Sequence, residues 1–216
     1  MSPSAHLVTI AKYPGVVKCL RDVEAAHGSA GVDLCVEPAG GFDDVPALMR
    51  SAVDLIALDG HGCKNGYYGR QCEKRFCPDY LRGEDGTGIV APIVVLGFCW
   101  GGRDPFISAL EGSLGRSQVA FLGSTEQTTF GDAKSIYLPI LRLLAELGPS
   151  PDPGDAHARL TSIAPTIGPS WRSELLTGTQ PPGVARRPLI AGRPAGKHGG
   201  AGNDGDDSAR GKTKRG

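Results

Sequence analysis

Two apolar runs constrain the fold of this chain more than any other feature. Val53-Asp54-Leu55-Ile56-Ala57-Leu58 leads into Asp59-Gly60-His61-Gly62, and Pro92-Ile93-Val94-Val95-Leu96-Gly97-Phe98 leads into Cys99-Trp100-Gly101-Gly102. Near-continuous Val, Ile and Leu stretches are what a parallel strand covered on both faces requires, because neither face meets water. In open α/β sheets, reactive groups gather beyond the carboxyl ends of such strands. Each run delivers one capable side chain there, an imidazole in the first case and a thiol in the second.

The flanking sequence completes an alternating pattern. Leu7-Val8-Thr9-Ile10 reads as a first strand, and Val16, Leu20 and Val23, with Cys19 on the same face, predict a helix over 16–26. Val32 to Val36 predicts a second strand. Asp43 or Asp44 can cap a helix carrying Val45, Leu48, Met49 and Ala52 on one face, with Pro46 in its first turn. After the strand to Cys99, Asp104 reads as a helix cap and Pro105 as the first helical residue. Gln118 to Gly123 predicts a fifth strand. Ala133 to Leu147 predicts a helix that Pro139 should kink or restart, and a short helix is expected over Asp155–Ile163. Strand alternating with helix specifies an α/β three-layer sandwich, a mostly parallel sheet of five or six strands with helices on both faces. Residues 63–90 are polar, rich in glycine and without a period. Such a length of loop in a compact domain is usually functional or mobile.

The domain is expected to span 1–175. Beyond about Thr177 the chain is Gly, Pro, Arg, Lys and Asp with few apolar groups, too little to offset its chain entropy, so 176–216 is expected to be a disordered tail. Lys and Arg (23) balance Asp and Glu (23), so the net charge points to neither nucleic acid nor membrane. No apolar run approaches the roughly 20 residues that span a bilayer. Residues 1–6 lack a basic, apolar leader, and the expected location is the cytoplasm. There the six cysteines (19, 35, 63, 72, 77 and 99) should be thiols. Cys63, Cys72 and Cys77 follow His61 closely but lack paired C-x-x-C knuckles, so they read as loop thiols rather than a zinc site. No metal or cofactor is expected.

A cysteine becomes a strong nucleophile as its thiolate, which a neighbouring imidazole can generate or stabilise. The attacked carbonyl oxygen then needs preorganised N–H donors. His61 is the expected acid/base, Cys99 the expected nucleophile, and the amides of Gly62 and Cys99 the expected oxyanion donors. Taken singly, a cysteine at a strand end is usually packing; the pair, each at the end of an apolar strand, points to catalysis.

These segments resemble the caspase-like cysteine peptidases (clan CD), and within them the CHAT-domain proteases. Asp54 to Gly62 resembles the histidine block, Ile93 to Cys99 the cysteine block, and Val119 to Thr125 the following strand, whose end shapes the primary specificity pocket in that family. The resemblance covers about residues 5–147. It implies a His61–Cys99 dyad that cleaves peptide bonds in a protein or peptide substrate, in a bacterial stress, defence or regulatory circuit. Ser124, Thr125 and Glu126 are the implied pocket residues. Glu126, Asp132 and Asp59 are candidates for holding a basic side chain. Two features depart from the family: Trp100 follows the cysteine where small residues are usual, and no helical sensor region is present, so an activating partner must be another protein.

Gly97-Phe98-Cys99-Trp100-Gly101 also fits a G-x-C-x-G nucleophile elbow and resembles that of dienelactone hydrolases. That reading needs an acid and a histidine after Cys99. Asp132, Asp152 or Asp155 could be the acid, His157 or His198 the histidine, and His61 is left without a role. A non-catalytic caspase-like interaction module is the third reading.

Overall fold

In a computed structural model of the chain, residues 1–11, 13–28, 31–62, 67–68, 74–83, 86–128 and 133–178 are described. The elements, in chain order, are β1 (Ser4–Ile10), α1 (Pro14–His27), β2 (Asp33–Ala39), α2 (Val45–Met49), β3 (Leu55–Leu58), β4 (Tyr67–Tyr68), β5 (Lys74–Arg75), α3 (Pro78–Leu81), β6 (Ile93–Leu96), α4 (Asp104–Glu111), β7 (Gln118–Ser124), α5 (Ala133–Leu147), α6 (Pro153–Ile167) and β8 (Trp171–Thr177). Six of the strands form one sheet in the order β2-β1-β3-β6-β7-β8, parallel except for β8 at the edge. Helices α1, α5 and α6 pack together as one layer and α2, α3 and α4 as the other. The fold is therefore the expected α/β three-layer sandwich with a mostly parallel sheet.

The two diagnostic runs become the central strands. All four residues of β3 and all four of β6 are buried, as a doubly covered strand demands. The sheet grows outward from β1 to β2, then reverses and grows from β3 to β7. In open α/β sheets the point of such a reversal is where ligands bind, past the carboxyl ends of the strands. Pro38 is accommodated because β2 is an edge strand, where a missing N–H costs no ladder bond.

Several expectations are corrected. Strand β8 carries no strand signature in the sequence: Trp171-Arg172-Ser173-Glu174-Leu175-Leu176-Thr177 lacks clean alternation, and it becomes a strand by pairing antiparallel along the whole of β7. Leu176 is buried there, so β8 runs two residues past the expected domain end at 175. Helix α5 continues through Pro139 as one element. Helix α6 begins earlier and runs to Ile167, because Asp152 caps it by accepting from the N–H groups of Gly154 (2.8 Å) and Asp155 (3.1 Å). Helix α2 stops at Met49. Arg103 rather than Asp104 occupies the cap position of α4, with Asp104 in its first turn. Cys63, Cys72, Asp132 and the tail beyond residue 178 lie outside the described residues.

The glycine-rich stretch after His61 is anchored by aromatics. Phe76 is buried against Phe98 and Phe106, with ring centroids 6.1 and 5.4 Å away. Tyr80 stacks on Phe42 at 4.2 Å and its hydroxyl donates to the Phe42 carbonyl. Phe98 immediately precedes Cys99, so this connection packs onto the base of the cysteine turn.

Candidate active site at the carboxyl ends of β3 and β6

Strands β3 and β6 are hydrogen-bonded neighbours, parallel, with Leu58 in register with Leu96. His61 and Cys99 each lie three residues past that last pair. The ladder is extended by the Gly97 N–H, which donates to the Leu58 carbonyl at 2.9 Å. The two turns are also packed on each other. A Cβ built on Gly62 would lie 2.2 Å from the Cys99 carbonyl oxygen and 2.5 Å from Phe98 Cδ2. Only glycine allows the backbone after His61 to rest directly against the backbone of Cys99.

His61 is exposed at this rim, and its ring meets the edge of buried Tyr13, centroid to centroid 4.9 Å at 78°. Tyr13 follows β1, so three adjacent strand ends contribute to the same rim. Cys99 is buried at 8% exposure. Its Sγ donates to the Thr128 carbonyl and accepts from the Thr128 N–H, both at 3.4 Å. The N–H contact suits a sulfur carrying negative charge, and the carbonyl contact suits a neutral thiol. Thr128 is in turn held by its hydroxyl, which donates to the Gly97 carbonyl at 3.2 Å.

The turn after the thiol is tight. Trp100 has φ 61°, a left-handed conformation that costs a non-glycine residue roughly 1–3 kcal/mol and persists only where surroundings enforce it. The enforcement is visible in the amides that follow Cys99. The Trp100 N–H donates to Glu126 O (2.9 Å), the Gly101 N–H to Phe98 O (3.1 Å) and the Gly102 N–H to Ser124 O (2.7 Å). Gly101 and Gly102 are needed for close approach, since a Cβ would meet Leu96 Cβ at 2.7 Å and the Gly123 carbonyl oxygen at 2.6 Å respectively.

Beneath the rim lies a buried acid. Asp59 is 5% exposed. Its Oδ1 accepts from the Gly60 N–H at 2.7 Å and its Oδ2 from the Tyr137 hydroxyl at 2.9 Å. Burial pushes the carboxyl up to about 6, against the opposing pull of these two donors. Gly60, at φ 147°, makes the turn from this acid to His61. Asp59 is therefore a prop under the histidine turn and not the pocket carboxylate that its sequence position allowed.

The implied specificity residues divide. Ser124 is fully buried and bonded to Ser170 Oγ and to the Glu126 backbone, so it is structural. Thr125 and Glu126 line an open cleft of about 440 Å³ with Arg103, Asp104, Pro105 and Arg172. Arg172 pairs with Asp104 (3.2 Å) and Glu174, and Arg103 Nε donates to the Thr125 carbonyl at 3.3 Å. Among the described residues, the Glu126 carboxylate makes no ion pair.

His157, the histidine an elbow mechanism could use, contacts Ser173 of β8 through Nδ1 at 3.0 Å. The residues that sequence reasoning missed are Tyr13, Thr128, Tyr137, Arg103 and Arg172. Arg103 follows the cysteine turn directly without any motif to mark it, and the other four reach the site from distant segments that no local spacing marks. No helix among the described residues is long and apolar enough to cross a membrane. The chain matches no protein-family model and no curated protein.

Proposed function

We propose that this chain is a cysteine endopeptidase of the caspase-like, CHAT-related type, acting on protein or peptide substrates. The observation that carries this reading is the pairing of β3 with β6 in a register that sends His61 and Cys99 equally far past one sheet edge, with Gly62 seated on the Cys99 backbone. His61 takes the thiol proton, and Cys99 Sγ attacks the scissile carbonyl carbon. The Gly62 and Cys99 amides hold the resulting oxyanion, the three amides after Cys99 being committed elsewhere. Collapse returns the proton from His61 to the leaving amine, and water, deprotonated by His61, then hydrolyses the thioester.

Glu126, which lines the cleft beside this turn, favours a basic substrate side chain. Thr128 must release the Cys99 sulfur before attack, which is a natural step for an activating protein partner to control. A reducing, cytoplasmic setting is part of the proposal, because the nucleophile must stay a thiol.

The test is covalent labelling with an electrophilic peptide probe, followed by hydrolysis of a peptide panel. Expected are labelling of Cys99 alone, at least a hundred-fold slower labelling in His61→Ala, and no turnover in Cys99→Ala. Full turnover by Cys99→Ala, or undiminished labelling in His61→Ala, overturns the dyad. Undiminished labelling in His61→Ala, together with slowed labelling and loss of turnover in His157→Ala, would instead support the elbow mechanism, which the left-handed Trp100 turn favours as the second reading.

A further inference from the structure

On the edge pair β1 and β2, three metal-ligating side chains converge that the proposed peptidase chemistry does not use. His6 on β1 is in register with Cys35 on β2, and Val8 with Glu37. Register partners in a parallel pair share a face, as do residues two apart on one strand. His6, Cys35 and Glu37 therefore project from one face of two adjacent strands. Their donor atoms all lie within 4.8 Å of one another.

We propose that His6, Cys35 and Glu37 form a binding site for a divalent cation of the zinc class. The donor set is one imidazole nitrogen, one thiol sulfur and one carboxylate oxygen, a mixture that borderline-soft zinc accepts and that hard magnesium or calcium does not. His6 Nδ1 is buried at the atom and has no hydrogen-bond partner among the described residues, and the Glu37 carboxylate stands 3.8 Å from it. A buried ring nitrogen with no hydrogen bond is costly unless something fills the gap.

The geometry needs little adjustment. Ligand atoms around tetrahedral zinc are roughly 3.5 Å apart, so rotations that draw the three donors together by about 1 Å complete the set. Cys35 is exposed and Glu37 half-exposed, so both can rotate. Charge also balances. Binding releases the Cys35 proton to water, and one thiolate plus one carboxylate neutralise the doubly charged ion, with the imidazole neutral. Three protein ligands leave one coordination position for water or an external ligand. The ion would tie edge strand β2 to β1.

The full chain, reduced and metal-free, is titrated with cobalt(II) as a spectroscopic stand-in, then with zinc against a chromophoric chelator. Expected are a thiolate-to-cobalt charge-transfer band at one equivalent, its loss in Cys35→Ser, and at least ten-fold weaker zinc binding in His6→Asn and Glu37→Gln. Zinc should also raise the thermal midpoint of the wild-type chain and not that of His6→Asn. Absence of the band in the folded wild type, or its persistence in Cys35→Ser, overturns the site. If Cys35→Ser does not fold, His6→Asn decides: zinc affinity equal to wild type overturns the proposal.

Discussion

Replacing Asp59 with asparagine isolates the energetic cost of the acid under the histidine turn. In the folded chain the carboxyl titrates at about 6 rather than at its ordinary 3.8. That displacement corresponds to roughly 3 kcal/mol in the relative stability of its two protonation states. The sign follows from proton uptake. A raised carboxyl binds its proton more tightly in the folded than in the unfolded chain, so its contribution is fully present below pH 3.8 and is lost as pH rises through about 6. Between pH 5 and 7.5 the wild type should lose about 1.4 kcal/mol from this group. The substituted asparagine carries no charge and mimics the protonated acid. Its side-chain carbonyl can accept from the Gly60 N–H, and its amide can donate to the Tyr137 hydroxyl, which accepts as well as donates. Urea unfolding of both proteins at pH 5 and pH 7.5 tests this. The difference, variant minus wild type, should grow by about 1.4 kcal/mol in favour of the variant at the higher pH. A difference that does not change with pH refutes the claim that Asp59 is charged at the cost of burial.

Tyr137→Phe removes a donor to that carboxylate, so its titration, followed by carbon-detected NMR, should move further up. Gly62→Ala places a Cβ against the Cys99 carbonyl and should cost about 1–3 kcal/mol in urea unfolding while slowing probe labelling of Cys99 at least ten-fold. Asp152→Ala removes the α6 cap and should cost about 1 kcal/mol by the same assay, with labelling unchanged. In the peptide panel, Glu126→Ala should lower kcat/KM for a basic side chain at the cleavage point about ten-fold and leave neutral peptides unaffected, because Glu126 is a carboxylate lining the cleft with no ion pair among the described residues.

What the sequence determined by itself is the layer architecture and the two central strands. Leu55–Leu58 and Ile93–Leu96 are so uniformly apolar that only a doubly covered parallel strand can hide them, and this localised His61 and Cys99 at strand ends. The amphipathic faces of α1 and α5 were legible for the same reason, since burial imposes a period. Tertiary structure alone decided the rest. Strand β8 exists because β7 offers it a full edge, not because its own residues alternate. That Thr128 holds the Cys99 sulfur and that Tyr137 reaches Asp59 across 78 residues are consequences of chain crossings, which carry no local signal. Hydrophobic pattern is written into each segment by its own exposure to water; proximity between segments is set by how whole layers pack, and that is where the chemistry of this site is assembled.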